Sequence, residues 1–360
     1  MSTATPSIAP ANLETFAGAL LAACGMDEEK SRTTARLMVL TDMMGRRTHG
    51  LAMLPLYAAE LEKGAADEAR TAGMKGSGLP AIVKDSGATF VWDGGYLPGA
   101  WLVNRAIEES IARIGKHGVI TAAIRKTHHI GCLGALVKQA ADQGYVAIIA
   151  NSDPAGKRVA PYGGKQALFT PDPYAIGYPG KPNPVLVDIC ASITTTSMTR
   201  QKVAEGKPFE HAWLLDADGK PTRDPAVLEH SEPRGSLQLI GGLEYGHKGF
   251  GMALMIEALS QGLSGHGRKD APARWGGNVF LQVLDPEHFA GDDAFGAQMD
   301  HLADACRSNP PIDPSMPVRM PGDAAARGIE EAKQSGVRYE AQTWSALTQL
   351  AREKGVALPA

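Results

Sequence analysis

The sequence predicts an α/β protein whose two ends are helical and whose middle alternates short strands with helices. Three observations predict it. Apolar residues recur at helical spacing through the first sixty residues or so. After Gly64, β-type runs bounded by turn chemistry alternate with helical segments, the pattern of an α/β layer. Helical spacing then returns from about Asp323, in a tail expected to pack on the N-terminal helices.

Residues 1–11 are small, polar and proline-containing and read as a loose arm. Asn12 is the expected N-cap of a helix that carries Leu13, Phe16, Ala17, Leu20 and Leu21 at helical spacing and ends at Gly25. Asp27 caps a second helix, with Ala35, Leu37, Met38 and Leu40, interrupted at Gly45 just before Arg46-Arg47-Thr48-His49-Gly50. A third helical stretch runs through Leu54, Tyr57, Ala58 and Leu61, with Pro55 near its start. Ala81 to Lys84 and Thr89 to Trp92 are β-type runs, each followed by turn residues, Asp85-Ser86-Gly87 and Asp93-Gly94-Gly95. A helix from about Trp101 to Ile114, a strand from Val119 to Ile124, the turn His128-His129-Ile130-Gly131, a helix from Leu136 to Gln143 and a buried strand from Tyr145 to Ala150 follow. Later strands are expected at 184–189, 212–215 and 279–284, and helices at about 194–204, 247–264 and 294–306. No internal repeat or low-complexity tract interrupts this order.

Composition limits the function classes. A chain of 360 residues suggests two domains, and 44% hydrophobic with 21% charged residues is the balance of an ordinary globular protein. With 36 basic against 39 acidic residues there is no bulk field to draw the protein to nucleic acid or an acidic membrane, which leaves a small molecule as the default partner. The four cysteines, Cys24, Cys132, Cys190 and Cys306, have no C-x-x-C spacing, so neither a zinc site nor a disulfide framework is expected. The start MSTATPSIAP has no basic n-region or apolar h-region, and no stretch of about 18 apolar residues occurs. A reducing, cytoplasmic location is the expectation.

No G-x-G-x-x-G follows a strand. Gly249-Phe250-Gly251 lacks the third glycine, Gly163-Gly164 and Gly241-Gly242 lack the spacing, and no phosphate loop surrounds Lys248. His49 follows the hydroxyl of Thr48, precedes Gly50 and stands at a helix break beside two arginines, a setting in which an imidazole can donate a proton at neutral pH. Taken singly, such a histidine is more often a cap or a surface group. His128 and His129 end a strand and point in different directions; with no third ligand nearby they do not suggest a metal site. Asp188 closes the apolar run Pro184-Val185-Leu186-Val187, where an acid forms a turn or orients a catalytic imidazole. Lys248 can meet a phosphate or be solvated.

In order, these segments resemble the malate/L-lactate dehydrogenase family, which includes sulfolactate dehydrogenases and cyclic-imine acid reductases. The family's D-x-x-G-x-x-S-H-G is similar to Asp42-Met43-Met44-Gly45-Arg46-Arg47-Thr48-His49-Gly50 and its N-H-F-G to His128-His129-Ile130-Gly131. Its P-x-G-G resembles Pro161-Tyr162-Gly163-Gly164, its D-M-A-T-S Asp188-Ile189-Cys190-Ala191-Ser192, and its K-G-Y-G-L Lys248-Gly249-Phe250-Gly251-Met252. The resemblance covers residues of about 12 to 335. It implies a mixed-sheet cofactor domain that is not a Rossmann fold, spanning 76–319, with a helical domain from 1–75 and 320–360. It implies NAD or NADP as cofactor, a homodimer, and proton transfer by His49 with Thr48 and Asp188 beside it, His129 being the second catalytic candidate. His129, Ile130, Gly131, Cys132, Ser152, Asp172, Asp188, Ile189, Cys190, Lys248 and Gly249 match the cofactor-contacting segments.

Two departures bear on the substrate. The family's S-H-G-V-x-R has Met53 at the arginine, and a thioether cannot imitate a bidentate guanidinium. Arg46 or Arg47 would then supply the charge, with Met53 and Tyr57 as neighbours, or the substrate differs from malate and lactate. The family's G-T-N-P becomes Thr170-Pro171-Asp172-Pro173, and an acid near an adenosine ribose would favour NAD. The resemblance implies interconversion of a small 2-oxo acid and its 2-hydroxy acid; the alternatives are reduction of a cyclic ketimine carboxylate and a non-catalytic nucleotide-binding protein of the same fold.

Overall fold

The computed structural model describes residues 6–67, 69 and 71–359, so the first five residues of the expected arm lie outside it. The remainder of that arm is tied down. Ile8 is 1% exposed and pairs with Val337 in an antiparallel bridge, N–H to O at 3.1 Å and back at 2.8 Å. Helix α1 (Pro10–Ala23) begins two residues before the expected Asn12 cap, because Pro10 takes the first helical position, where a missing N–H costs nothing. Helix α2 (Glu28–Met43) starts as expected: the Asp27 carboxylate accepts from Lys30 N at 3.0 Å and from its Nζ at 2.6 Å. Two 3₁₀ turns, Arg47–His49 and Leu51–Met53, lead into α3 (Leu54–Ala66).

The main sheet contains β1 (Ala81–Asp85), β2 (Thr89–Asp93), β3 (Val119–Thr127), β4 (Val146–Ser152), β5 (Pro173–Tyr178), β6 (Val185–Cys190) and β10 (Gly277–Leu284), in the order β1-β2-β3-β10-β4-β5-β6. Of these pairs only β2 with β3 is parallel. β10 crosses back to the centre, and its near-continuous burial is that of a strand covered on both faces. Helices α4 (Gly99–His117) and α5 (Leu133–Ala141) cover the sheet. β5 went unpredicted because Pro171 and Pro173 mark it as loop. Pro173 is its first residue, where a missing donor is tolerated even in an interior strand.

Beyond β6, α6 (Thr196–Ala204), the paired dipeptides β7 (Leu214–Leu215), β8 (Pro221–Thr222) and β9 (Ser236–Leu237), and α7 (Ala226–Glu229) enclose a second core around Val159, Phe169, Phe209, Leu214 and Leu237. Helix α8 (Gly242–Glu257) starts five residues before the expected 247 and runs into a wide π turn, Ala258–Gly262. After β10 come α9 (Asp292–Arg307), α10 (Asp323–Ser335) and α11 (Ala341–Lys354); α10 packs on α2, and α11 on α1 and α3. The expected return of the tail is thus observed, and one apolar cluster runs from Ile8 and Leu13 through α2 to Ile120 and Val283. Among the described residues no helix is long and apolar enough to cross a membrane.

Candidate active site

The loop after α2 is built around one buried carboxylate. Asp42, in the last turn of α2, is 4% exposed. Its Oδ2 accepts from Leu51 N at 2.9 Å and from the Tyr339 hydroxyl at 2.8 Å. This folds residues 43–51 back over the end of α2 and fastens them to the C-terminal segment. Gly50 has to be glycine, since a Cβ there would lie 1.9 Å from Asp42 Oδ1. Arg47 adds a second tie by donating from Nη1 to Arg338 O at 2.7 Å. Burial pushes the Asp42 carboxyl up to about 6, against the Leu51 N–H, the Tyr339 hydroxyl and the Arg47 charge.

The loop presents His49, half-buried, with Nδ1 2.9 Å from Thr48 Oγ1. That contact occupies one ring nitrogen and leaves Nε2 for chemistry. Burial pushes the imidazole below its ordinary value, Asp188 opposes this and Arg46 adds to it. His49 stacks on His129, ring centroids 5.8 Å apart and planes 24° apart, and Trp275 continues the row at 5.2 Å from His129.

His129 holds its place through Tyr57, whose hydroxyl lies 2.7 Å from His129 Nδ1. Burial raises the phenol and lowers the imidazole to about 3, with the neighbouring His49 and His128 charges also disfavouring the imidazolium. Tyr57 therefore donates to a neutral His129, which fixes its remaining proton on Nε2. His129 can donate a hydrogen bond but is a poor base. His128 turns the other way, fully buried, with Nε2 3.3 Å from Glu60 Oε2.

Asp188, near the end of β6, accepts from Gly134 N at 2.9 Å and from Cys132 Sγ at 3.5 Å. No side chain of its own segment caps α5, so Asp188 caps it from across the sheet. Burial pushes the Cys132 thiol up to about 12, with the Asp188 charge adding to it, which keeps that thiol inert. Thr48, His49, His129, Asp188, Cys132 and Tyr57 are therefore brought to one place. Gly131, with φ +77°, makes the turn that separates Ile130, buried in the core, from Cys132.

The other candidates lie elsewhere. Ser152 and Asp172 are fully buried in a second network, with Ser152 Oγ donating to Glu257 Oε1 at 2.7 Å and accepting from Gln261 Nε2 at 3.0 Å. Arg268 clamps Glu257 at 2.6 Å and reaches Ser152 Oγ at 3.2 Å, while Thr170 donates to Asp172 Oδ1 at 2.6 Å. Burial and the Glu257 charge hold the Asp172 carboxyl well above its usual range. The π turn brings Gln261 into this network, and neither Glu257 nor Arg268 carried a sequence signal. Ile189 is 43% exposed, and Cys190 Sγ contacts Ser192 O at 3.2 Å. Lys248 is exposed within α8, 5.2 Å from the Tyr245 ring centroid. Gly249 packs so closely that a Cβ would lie 2.7 Å from Ile240 N and O. Met53 packs against the main core.

A cavity of about 480 Å³ lies between Pro161–Lys165, Asp218–Gly219 and the start of α8. Among the described residues no side chain caps the N-terminus of α8, and Gly163 turns with φ +81°. An uncapped helix start beside small residues suits a phosphate-bearing group.

A family model described as malate/L-lactate dehydrogenase matches residues 8–348. Hydroxycarboxylate dehydrogenase B of Escherichia coli (strain K12) is 28% identical over 351 residues, covering 96% of this chain and 93% of that protein. The solved sulfolactate dehydrogenase from Methanocaldococcus jannaschii superposes with TM-score 0.84 at 26% identity, covering 98% of both chains. The Δ1-piperideine-2-carboxylate reductase from Pseudomonas syringae shares the fold, with TM-score 0.82 at 24% identity over 96% of this chain and all of that one.

Proposed function

Because the chain belongs to the malate/L-lactate dehydrogenase family and is an oxidoreductase, we propose that it interconverts a small 2-oxo acid and its 2-hydroxy acid with His49 as the proton carrier. The observation that carries this reading is the convergence of His49, His129 and Asp188, from three separate stretches of chain, around one half-buried imidazole. The family's dehydrogenases use NAD or NADP, which supplies or takes the hydride. The residues here fit such a cofactor: the cavity by Gly163 and the uncapped start of α8 would receive its phosphate-bearing part, and the Asp188 end of β6 leads back toward His49.

In the oxidative direction a neutral His49 accepts the proton of the substrate hydroxyl, and its lowered basicity keeps it neutral at pH 7. Asp188 stabilises the imidazolium that results. Thr48 holds the ring, and the Nε2–H of His129 is available to the substrate oxygen. In reduction the imidazolium returns the proton. Ser152 and Asp172 act from behind, by fixing the strand ends that carry the site. The same reading takes 1–75 with 320–360 as a helical unit and 76–319 as a mixed-sheet unit distinct from a Rossmann domain, supported by a sheet with one parallel pair. It also takes the protein as a cytoplasmic homodimer.

The test is a panel of 2-oxo acids and cyclic ketimine carboxylates with NADH and NADPH, followed by nicotinamide absorbance. Turnover of oxo acids, lost in His49→Ala while cofactor binding persists, supports the proposal. A preference for ketimines selects the imine reductase, whose fold the chain shares. Cofactor binding without turnover of either class selects a non-catalytic binding protein.

A further inference from the structure

The strand pairing behind the site decides what stands next to His129. In the antiparallel pair of β3 and β10, Gly277 lies opposite Thr127, so the same register carried past the strand ends sets Trp275 beside His129. The rings agree: the indole centroid is 5.2 Å from that of His129, with the planes 31° apart. His49 continues the row on His129 at 5.8 Å and 24°. A site centred on His49 and His129 is therefore bordered by an indole, contributed by the segment that enters the central strand.

That indole is fixed before any substrate arrives. His128, fully buried with Nε2 3.3 Å from Glu60 Oε2, meets the Trp275 ring edge-on at 4.7 Å and 70°. Arg274, the residue before it, donates to Gly73 O at 2.7 Å and lies 3.9 Å from the Tyr96 ring centroid. Gly276, the residue after it, sits so tightly that a Cβ would lie 2.5 Å from Thr127 O and 2.9 Å from Tyr96 Cε1. Trp275 is thus held through both chain neighbours, yet it is only half-buried, with part of its surface packed on the main core. An aromatic face that is already ordered and still partly wet gains most from an apolar partner.

Resting on the oxo-acid reading above, we propose that Trp275 is a specificity-determining residue whose indole receives the substrate's side chain, and that the substrate class is 2-oxo acids with a branched aliphatic or aromatic side chain. With the 2-oxo carbon at His49, a methyl group stays short of the indole. An isobutyl or benzyl group laid along His129 reaches it and leaves water in doing so. Trp275 acts on binding, and the proton transfer stays with His49.

The test compares pyruvate, oxaloacetate, 4-methyl-2-oxopentanoate and phenylpyruvate on the unaltered chain, then on Trp275→Ala and Trp275→Phe. The expected kcat/KM of the unaltered chain is at least about tenfold higher for the two bulky acids than for pyruvate, the value of burying one apolar side chain. Trp275→Ala is expected to lower kcat/KM for the bulky acids roughly tenfold more than for pyruvate, chiefly through KM, and Trp275→Phe to restore most of that loss. Preference of the unaltered chain for pyruvate or oxaloacetate would overturn the inference. So would a Trp275→Ala variant that loses activity equally on every acid, the mark of a structural or cofactor-facing indole, or one that gains on the bulky acids, the mark of an indole that excludes them. The substrate comparison on the unaltered chain stands even if the variants fold poorly. Failure of the underlying reading is distinct: no oxo acid would then turn over at all.

Discussion

Asp42→Asn separates the electrostatic cost of the buried carboxylate from its hydrogen bonds. Asp42 Oδ2 holds Leu51 N and the Tyr339 hydroxyl, whereas Oδ1 is buried with no partner among the described residues. An asparagine can keep its oxygen on both donors and put its amide nitrogen where Oδ1 stands. The carboxyl titrates near 3.8 when unfolded and is raised to about 6 in the fold. Between those values the native state holds the proton and the unfolded state has lost it, so stability falls as pH rises through the window. A shift of about two pH units is worth about 3 kcal/mol, absent below pH ~4 and fully felt above pH ~6.5. The amide nitrogen adds a penalty of roughly 1–3 kcal/mol that does not depend on pH. The diagnostic is therefore a slope. Urea unfolding of both proteins at intervals from pH ~4 to ~7 should show the stability of Asp42→Asn, relative to the parent, rising by about 3 kcal/mol across the window. All other titrating groups cancel in the difference. A difference that stays level within about 1 kcal/mol, or that falls with pH, would refute the assignment of a charged, desolvated Asp42.

Tyr57→Phe removes the donor to His129 Nδ1 and leaves that buried nitrogen unpaired, so kcat/KM should fall roughly tenfold, the equivalent of about 1–2 kcal/mol, in steady-state assays. Asp188→Asn takes away the charge that opposes the lowering of His49, so the ionisation that governs the oxidative reaction should move to lower pH; kcat should fall about tenfold or more as the imidazolium loses its counter-charge. Stopped-flow or steady-state pH profiles read both, and a limb that moves to higher pH would contradict the role given to Asp188. Gly249→Ala forces a Cβ to within 2.7 Å of the Ile240 backbone, with Ala191 O 3.0 Å away, so it should cost about 1–3 kcal/mol in urea unfolding.

Local pattern made much of this fold legible. Asp27, the apolar face of α2, the turn residues after β1 and β2, and the run 184–189 each act within a few residues, and each marked its element. What local pattern cannot carry is pairing at a distance. Ile8 reads as part of a polar arm until Val337 is beside it, and Pro173 reads as a loop residue until Gly177 and Tyr174 are seen bonded on both sides. The same holds in the site. Thr48, His49 and Asp188 stand in recognisable order, but the Tyr339 hydroxyl that fastens Asp42, and the Arg268 and Glu257 that surround Ser152, come from segments with no distinctive sequence.

The run from Asp42 to Gly50 acts as a mechanical unit before it acts as a chemical one. Asp42 reaches forward nine residues to Leu51 N, and the space its carboxylate fills is the space a side chain at position 50 would need. The acid and the glycine therefore require each other, and between them Thr48 fixes one nitrogen of His49. Position 53 lies outside this closed loop: Met53 touches neither the carboxylate nor the imidazole hydrogen bonds and packs on the core instead. The chain can thus carry a different side chain at position 53 without disturbing the hydrogen bonds that hold His49, whereas a change at 42 or 50 would move His49 itself. On the proposed reading, substrate preference and proton transfer are separable, because one would depend on side chains flanking the loop and the other on the hydrogen bonds that close it.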